Sequence, residues 1–139
     1  MTAHFASTLQ HPVVPKDGVT VRVLLPCRVS DPKPGKQDER SLADQAAMHM
    51  QWLGNNLDGP YEVKILEGRE SGEWIERADY LELIELVETG EYDLVLTEDL
   101  GRIIRRIHAH LFAELCVDFD TRLISHNDHV DTTQPGWQD

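Results

Sequence analysis

At 139 residues, 40% of them hydrophobic, the chain has material for one packed core and little room for a second. Thirteen Lys and Arg against 25 Asp and Glu leave a net charge of −12, which excludes a protein that grips DNA through a broad basic face of its own. No apolar run approaches the ~20 residues of a membrane span, no basic-then-apolar leader opens the chain, and Cys27 and Cys116 lack zinc-site spacing, so both are expected as thiols in a reducing cytoplasm.

Residues 1–18 have no steady period and carry Pro12, Pro15 and Gly18, which predicts an N-terminal tail or loose lead-in before a domain spanning 19–139. Val19–Leu25 is β-branched and apolar, the pattern of a central strand. The prolines, glycine and mixed charges of 30–40 predict a loop. Ser41 has the character of an N-cap, with Asp44 in the place of a capping-box acid. Leu42, Ala46, His49, Met50 and Leu53 then repeat at helical spacing, and Gly54-Asn55-Asn56 should stop that helix. Tyr61–Leu66 reads as a second strand, and the polar stretch 67–76, with Gly68 and Gly72, as a loop. Tyr80, Leu83, Ile84 and Val87 mark a second helix closed by Thr89-Gly90. Tyr92–Thr97 is a third strand. Ile104, Ile107, Leu111 and Leu115 mark a third helix and its expected buried face. Thr121–Ser125 is one more strand, and from His126 the chain is polar.

Strands alternating with helices predict an α/β fold: a mostly parallel central sheet of four to five strands with helices on both faces, three layers in all. Ligands in such sheets bind at the carboxyl ends of the strands. The loops at that edge are rich in Arg and Ser. The first carries Arg28-Val-Ser30, the second leads through Ser71-Gly72 to Arg77, and the third carries Arg102 and Arg105. Cations at a helix N-terminus oppose the macrodipole, so arginines there imply an anion to hold. Guanidinium groups offer bidentate donors to phosphate oxygens. A serine hydroxyl among them can attack a phosphodiester.

In these residues the sequence resembles the serine recombinase (resolvase/invertase) family. VRVLLPCRVS followed by SLADQ resembles its strand, Arg-Val-Ser and Ser-Leu-x-x-Gln blocks. ESGEWIERADYLELIELVETGEYDLVLTEDLGRIIRR and RLISHNDHVDTTQPG resemble the later blocks, so the likeness runs from about Val19 to Gly136. The resemblance implies a resolvase-like catalytic domain for site-specific DNA recombination. Ser30 would form a 5′-phosphoserine link, Arg28 would contact the phosphate, Gln45 would support the site, and Arg77, Arg102 and Arg105 would bind the phosphate and activate the reacting oxygens. It implies no metal and no cofactor. The partners are double-stranded DNA, held mainly by a region absent from this chain, and further copies of the chain, a homodimer that becomes a tetramer when active, with no membrane. The setting is bacterial or phage-encoded.

Three positions depart from the family pattern. Gly101 and Gly68 stand where Asp is common, with Asp99 and Glu67 close by as candidates to substitute, and Pro26 stands where Tyr is common. The long loop after Ser30 leans toward the large, phage-integrase-like branch. The glycines also keep open a second reading, a non-catalytic dimerisation or regulatory module. An α/β receiver would need acids where Pro26-Cys27-Arg28 lies. Read without the family, Arg77 pairs with Glu73 or Glu76, Arg106 lies on a solvated face, and Cys27 is a small core residue. His126, His129 and Asp131 have near-metal spacing but occupy a polar, turn-rich segment, and no metal site is expected there.

Overall fold

A computed structural model describes residues 9, 11–29, 41–69, 78–103 and 106–138. Its strands are β1 (Val21–Val29), β2 (Tyr61–Arg69), β3 (Leu94–Thr97), β4 (Arg122–Ser125) and β5 (Val130–Asp131). Its helices are α1 (Leu42–Asn56), α2 (Ala78–Glu88) and α3 (Arg106–Asp118), with a 3-10 helix at Leu100–Arg102. The five strands form one sheet in the order β2-β1-β3-β4-β5. All neighbours are parallel except β4 and β5. This is the α/β architecture expected from the alternation of elements.

Side chains of β1 divide the core in two, as a period-two strand must. Val21, Val23, Leu25 and Cys27 join Leu53 of α1, Leu94, Leu96 and Ile124 on one face. Leu24 joins Tyr80, Leu83 and Val87 of α2 and Phe112, Ala113 and Cys116 of α3 on the other. The sheet is therefore covered by α1 on one side and by α2 and α3 on the other, and burial on both faces accounts for the near-continuous apolar runs of β1 and β3.

Local chemistry sets the element ends. Ser41 caps α1, its hydroxyl accepting the Asp44 N–H at 3.1 Å. α1 then continues through Gly54 to Asn56, past the expected stop. A helical glycine costs about 1 kcal/mol, and the packing of Leu53 and Leu57 against the core outweighs it. β1 begins at Val21 rather than Val19 because the Asp17 carboxylate accepts the N–H groups of Val19 and Thr20 at 2.7 and 2.9 Å and bends the chain aside. β2 runs on to Arg69, in register with β1 over all nine residues, so Gly68 belongs to a strand and not to a loop.

Three expectations need correction. Residues 11–18 are not loose. The Lys16 N–H donates to Asp93 Oδ1 at 2.8 Å, and its ammonium group to the carbonyls of Gly90 and Phe119. Arg122 Nη1 donates to the His11 carbonyl, and Val13 packs against the α1-side core. The buried face of α3 is not the Leu111 line: Leu111 is 61% exposed, while Phe112, Ala113 and Cys116 are buried. Two apolar phases compete on this helix, and the one that packs Phe112 against Tyr80, ring centroids 6.3 Å apart, prevails. The segment after His126 also holds a strand, β5, joined to β4 by the partly buried ion pair Arg122–Asp131 at 2.6 Å.

Candidate active site

The end of β1 is built around Arg28. Backbone groups of successive residues in a strand face opposite neighbours. The Val21 N–H donates to Pro60 O, on the β2 side, while Arg22 exchanges bonds with Asp93, on the β3 side. The even-numbered residues of β1 thus turn their backbone toward β3. Val23 and Leu24 lie level with Leu94 and Val95. Counting on, the last residue of β3, Thr97, lies level with Pro26, which has no N–H to offer. Arg28 overhangs the end of β3 with a donor and an acceptor unpaired by any strand.

Gln45 of α1 fills that gap. Its Oε1 accepts the Arg28 N–H at 3.0 Å, and its Nε2 donates to the Arg28 carbonyl at 2.8 Å. Gln45 is 1% exposed. One side-chain amide replaces a missing strand, as a buried backbone pair demands. The Arg28 guanidinium, 4% exposed, donates from Nη1 to the Gly101 carbonyl at 3.0 Å. Its register partner across the strand pair is Gly68. The two glycines that depart from the family pattern therefore both flank Arg28.

The loop after β3 is braced by the turn after β4. The N–H groups of His126 and Asn127 donate to Thr97 O and Glu98 O at 3.1 and 2.7 Å. Asp128 accepts the Leu100 N–H and the Ser125 hydroxyl, both at 2.7 Å. Arg102 belongs to the 3-10 helix that this bracing supports, rather than to the first turn of α3.

A second cluster lies on the α1 side of the same edge. His49, 1% exposed, stacks on His126 with centroids 6.0 Å apart, and Trp52 meets His126 edge-on at 5.4 Å. A cavity of about 360 Å³ opens here, lined by Trp52, Glu98, His126 and their neighbours. Burial, reinforced by His126 and opposed by Glu98, depresses His49 to about 4. Burial also lowers His126, against the pull of Glu98. His49 Nδ1 is buried with no hydrogen-bond partner among the described residues. The helical repeat places His49 on a core-facing line, but its pairing with His126 had no sequence signal.

Of the residues expected at the site, the structure brings Arg28 and Gln45 together and sets Gly101, the neighbour of Arg102, against Arg28. Ser30, Arg77 and Arg105 lie outside the described residues. The three residues with near-metal spacing do other work. His126 stacks on His49, Asp131 pairs with Arg122, and His129 takes a left-handed φ of 54° in the turn before β5. Among the described residues no group of three His, Cys, Asp or Glu is arranged for a metal ion. No helix of the described residues is long and apolar enough to cross a membrane.

The sequence matches the family described as "Resolvase, N terminal domain" over residues 23–138. Among solved structures it is similar to the N-terminal catalytic domain of TP901-1 integrase, 23% identical with a TM-score of 0.60, over 84% of this chain and 83% of that one. It is also similar to the C-terminal catalytic domain of ISC1926 TnpA, an IS607-like serine recombinase: 25% identity, TM-score 0.59, over 76% and 69% of the two chains. A serine recombinase from Sulfolobus solfataricus aligns at 18% identity and a TM-score of 0.58, over 78% and 69%. No curated protein matches the chain.

Proposed function

Since this chain belongs to the resolvase family of serine recombinase catalytic domains, we propose that it cuts and rejoins DNA, with Ser30 as the nucleophile. The Ser30 hydroxyl oxygen forms a bond to the phosphorus of a DNA phosphodiester. The bond from phosphorus to the 3′ oxygen breaks, and the serine proton ends on that oxygen as a 3′-hydroxyl. The 5′ end stays on the enzyme as a phosphoserine, which conserves the bond energy for rejoining after strand exchange without metal or cofactor. Arg28, Arg77, Arg102 and Arg105 neutralise charge on the phosphate in flight, and Gln45 is a positioning residue for Arg28.

The observation that carries this reading is the clamp at the end of β1. A glutamine amide and a loop carbonyl together hold a buried arginine two residues before Ser30, at the edge where α/β sheets bind ligands. Such rigid support is what a phosphate-binding arginine needs. We take 19–139 as the catalytic domain proper, with residues 11–18 packed against it. A net charge of −12 supports a main grip on duplex DNA through a region outside these residues, and the family resemblance adds assembly as a homodimer that becomes a tetramer when active. On this reading the protein works in the cytoplasm of a bacterium or of a phage-infected cell.

The test is a suicide DNA substrate given to the full-length protein. A covalent protein–DNA complex is expected, released by nothing short of cleavage of the serine ester, and absent in Ser30→Ala. An undiminished complex in Ser30→Ala overturns the assignment. No complex from the unaltered protein favours the non-catalytic module instead.

A further inference from the structure

We propose that the cavity between α1 and the turns after β3 and β4 is a nucleobase pocket, which takes an unpaired base of the DNA strand whose phosphate is under attack. The proposal rests on the recombinase reading above and deepens it. The cavity measures about 360 Å³, at the small end of ligand pockets, which run from roughly 300 to 1,000 Å³. That space suits one planar ring system rather than a peptide.

The walls have the chemistry a base requires. His126 and Trp52 bring aromatic rings, with centroids 5.4 Å apart and planes inclined at 61°. His49 backs His126 as a buried stacking partner, 6.0 Å between centroids and 19° from parallel. A base laid on His126 extends that stack, and stacking on an aromatic side chain is open to every base. Burial holds His126 below the usual imidazole value, against the pull of Glu98, so the ring is uncharged at neutral pH. Gln51, Asn55 and Asn127 are exposed and bring side-chain amides to the same lining. An amide offers a donor and an acceptor side by side, which matches the edge of a base. Among the described residues no Lys or Arg lines the cavity, whereas the Glu98 carboxylate does. That lining disfavours a phosphate, and the base is the part of a nucleotide that fits.

Helix α1 ties the cavity to the proposed cleavage site. Gln45, which holds the Arg28 backbone, lies one turn before His49 and two turns before Trp52 on one stripe of the helix. At 1.5 Å per residue, Gln45 and Trp52 stand about 10 Å apart along the axis. A phosphate at the end of β1 and a base in the cavity can therefore belong to neighbouring nucleotides of one strand. The opposite wall is fixed in place, because the His126 and Asn127 N–H groups donate to the carbonyls of Thr97 and Glu98 at 3.1 and 2.7 Å. A base held between these walls anchors the strand by stacking, a contact that the net charge of −12 does not oppose.

The experiment has two arms, both on the full-length protein. In the first, adenosine, guanosine, cytidine and thymidine are titrated while NMR follows the Trp52 indole and His126 ring signals. Saturable shifts are expected with at least one nucleoside, weakened about tenfold or more by Trp52→Leu, which removes a stacking ring, and also weakened by Gln51→Ala combined with Asn55→Ala. The two amide positions are exposed helix sites, so the double variant should keep the unaltered Tm and separates lost recognition from lost folding. No saturable shift with any of the four nucleosides overturns the proposal. A response to arginine amide alone does so too, and gives the cavity to a cationic side chain. In the second arm, suicide substrates carry one abasic position, placed in turn at each nucleotide beside the cut. One such position should slow formation of the Ser30–DNA adduct about tenfold in the unaltered protein and have little effect in the double variant. An abasic effect equal in both proteins, or none in either, overturns DNA as the source of the base. If the unaltered protein forms no adduct on any substrate, the recombinase reading fails, and the nucleoside titration still judges the pocket.

Discussion

Replacing Gln45 by leucine keeps the volume of a fully buried side chain and removes both of its bonds to the Arg28 backbone. The Arg28 N–H and carbonyl are then left beyond the end of β3 without a partner. Each unsatisfied buried group costs on the order of 1–3 kcal/mol. The apolar replacement returns part of that sum, so a net loss of about 3 kcal/mol is expected. At roughly 2.1 cal/mol/K of unfolding entropy per residue, this lowers Tm by about 10 °C. Urea unfolding of the domain measures it, with an unchanged m-value as the sign that the loss is in the native state. Gln45→Glu adds a control on mechanism. A carboxylate can still accept the Arg28 N–H but sets a second acceptor against the Arg28 carbonyl, so burial and that contact raise its folded pKa above the unfolded ~4.3. Its deficit against the unaltered protein should shrink as pH falls through that raised value and be smallest below the unfolded one. A Gln45→Leu variant within about 0.5 kcal/mol of the unaltered protein, the range of indifferent surface changes, would refute the surrogate-strand argument.

Two further outcomes follow from the α1 side. His49 is depressed from 6.5 to about 4, chiefly by burial and then by His126, with Glu98 pulling the other way. The unfolded chain therefore takes up a proton between those values that the folded chain refuses, and stability should fall as pH drops from 6.5 toward 4, by about 3 kcal/mol at 1.36 kcal/mol per unit. His49→Leu should flatten that limb of the pH–stability curve, and an unchanged slope would remove His49 as its cause. Ser41→Ala, which deletes the hydroxyl cap on the Asp44 N–H, should cost about 1 kcal/mol in urea unfolding without altering the Arg28 site.

The parts of this fold legible from sequence are those decided locally. The Ser41 cap, the apolar body of β1 and the order of elements depend on neighbours in the chain. What was not legible depends on where a distant element ends. Gln45 is buried because β3 stops two residues short of Arg28, and no local pattern reports that. The core line of α1 runs through Gln45, His49, Leu53 and Asn56, three of them polar, so a hydrophobic period alone misplaces it. The phase of α3 was misjudged for a related reason: leucine and phenylalanine score alike on a helix, and only the position of Tyr80 selects Phe112 over Leu111. Lys16, too, looks like a tail residue until Asp93, Gly90 and Phe119 are brought beside it by the fold.

The acidic balance of the chain and phosphate chemistry at its edge are compatible because they act over different distances. At physiological ionic strength, fields from exposed charges fade over about 8 Å. The net charge of −12 therefore governs how duplex DNA approaches the domain, and not what happens at a phosphate already seated at the end of β1. Contact with Arg28 acts across about 3 Å, in a site where burial weakens screening. Two other arginines, Arg22 and Arg122, are committed within the fold. Arg122 is locked to Asp131, and Arg22 reaches Glu62 and Glu91 while its guanidinium lies 4.9 Å over the Tyr92 ring. On the proposed function, such a domain repels a duplex that arrives alone and cuts one that is held in place. That makes cleavage conditional on the DNA grip and the assembly that supply the holding.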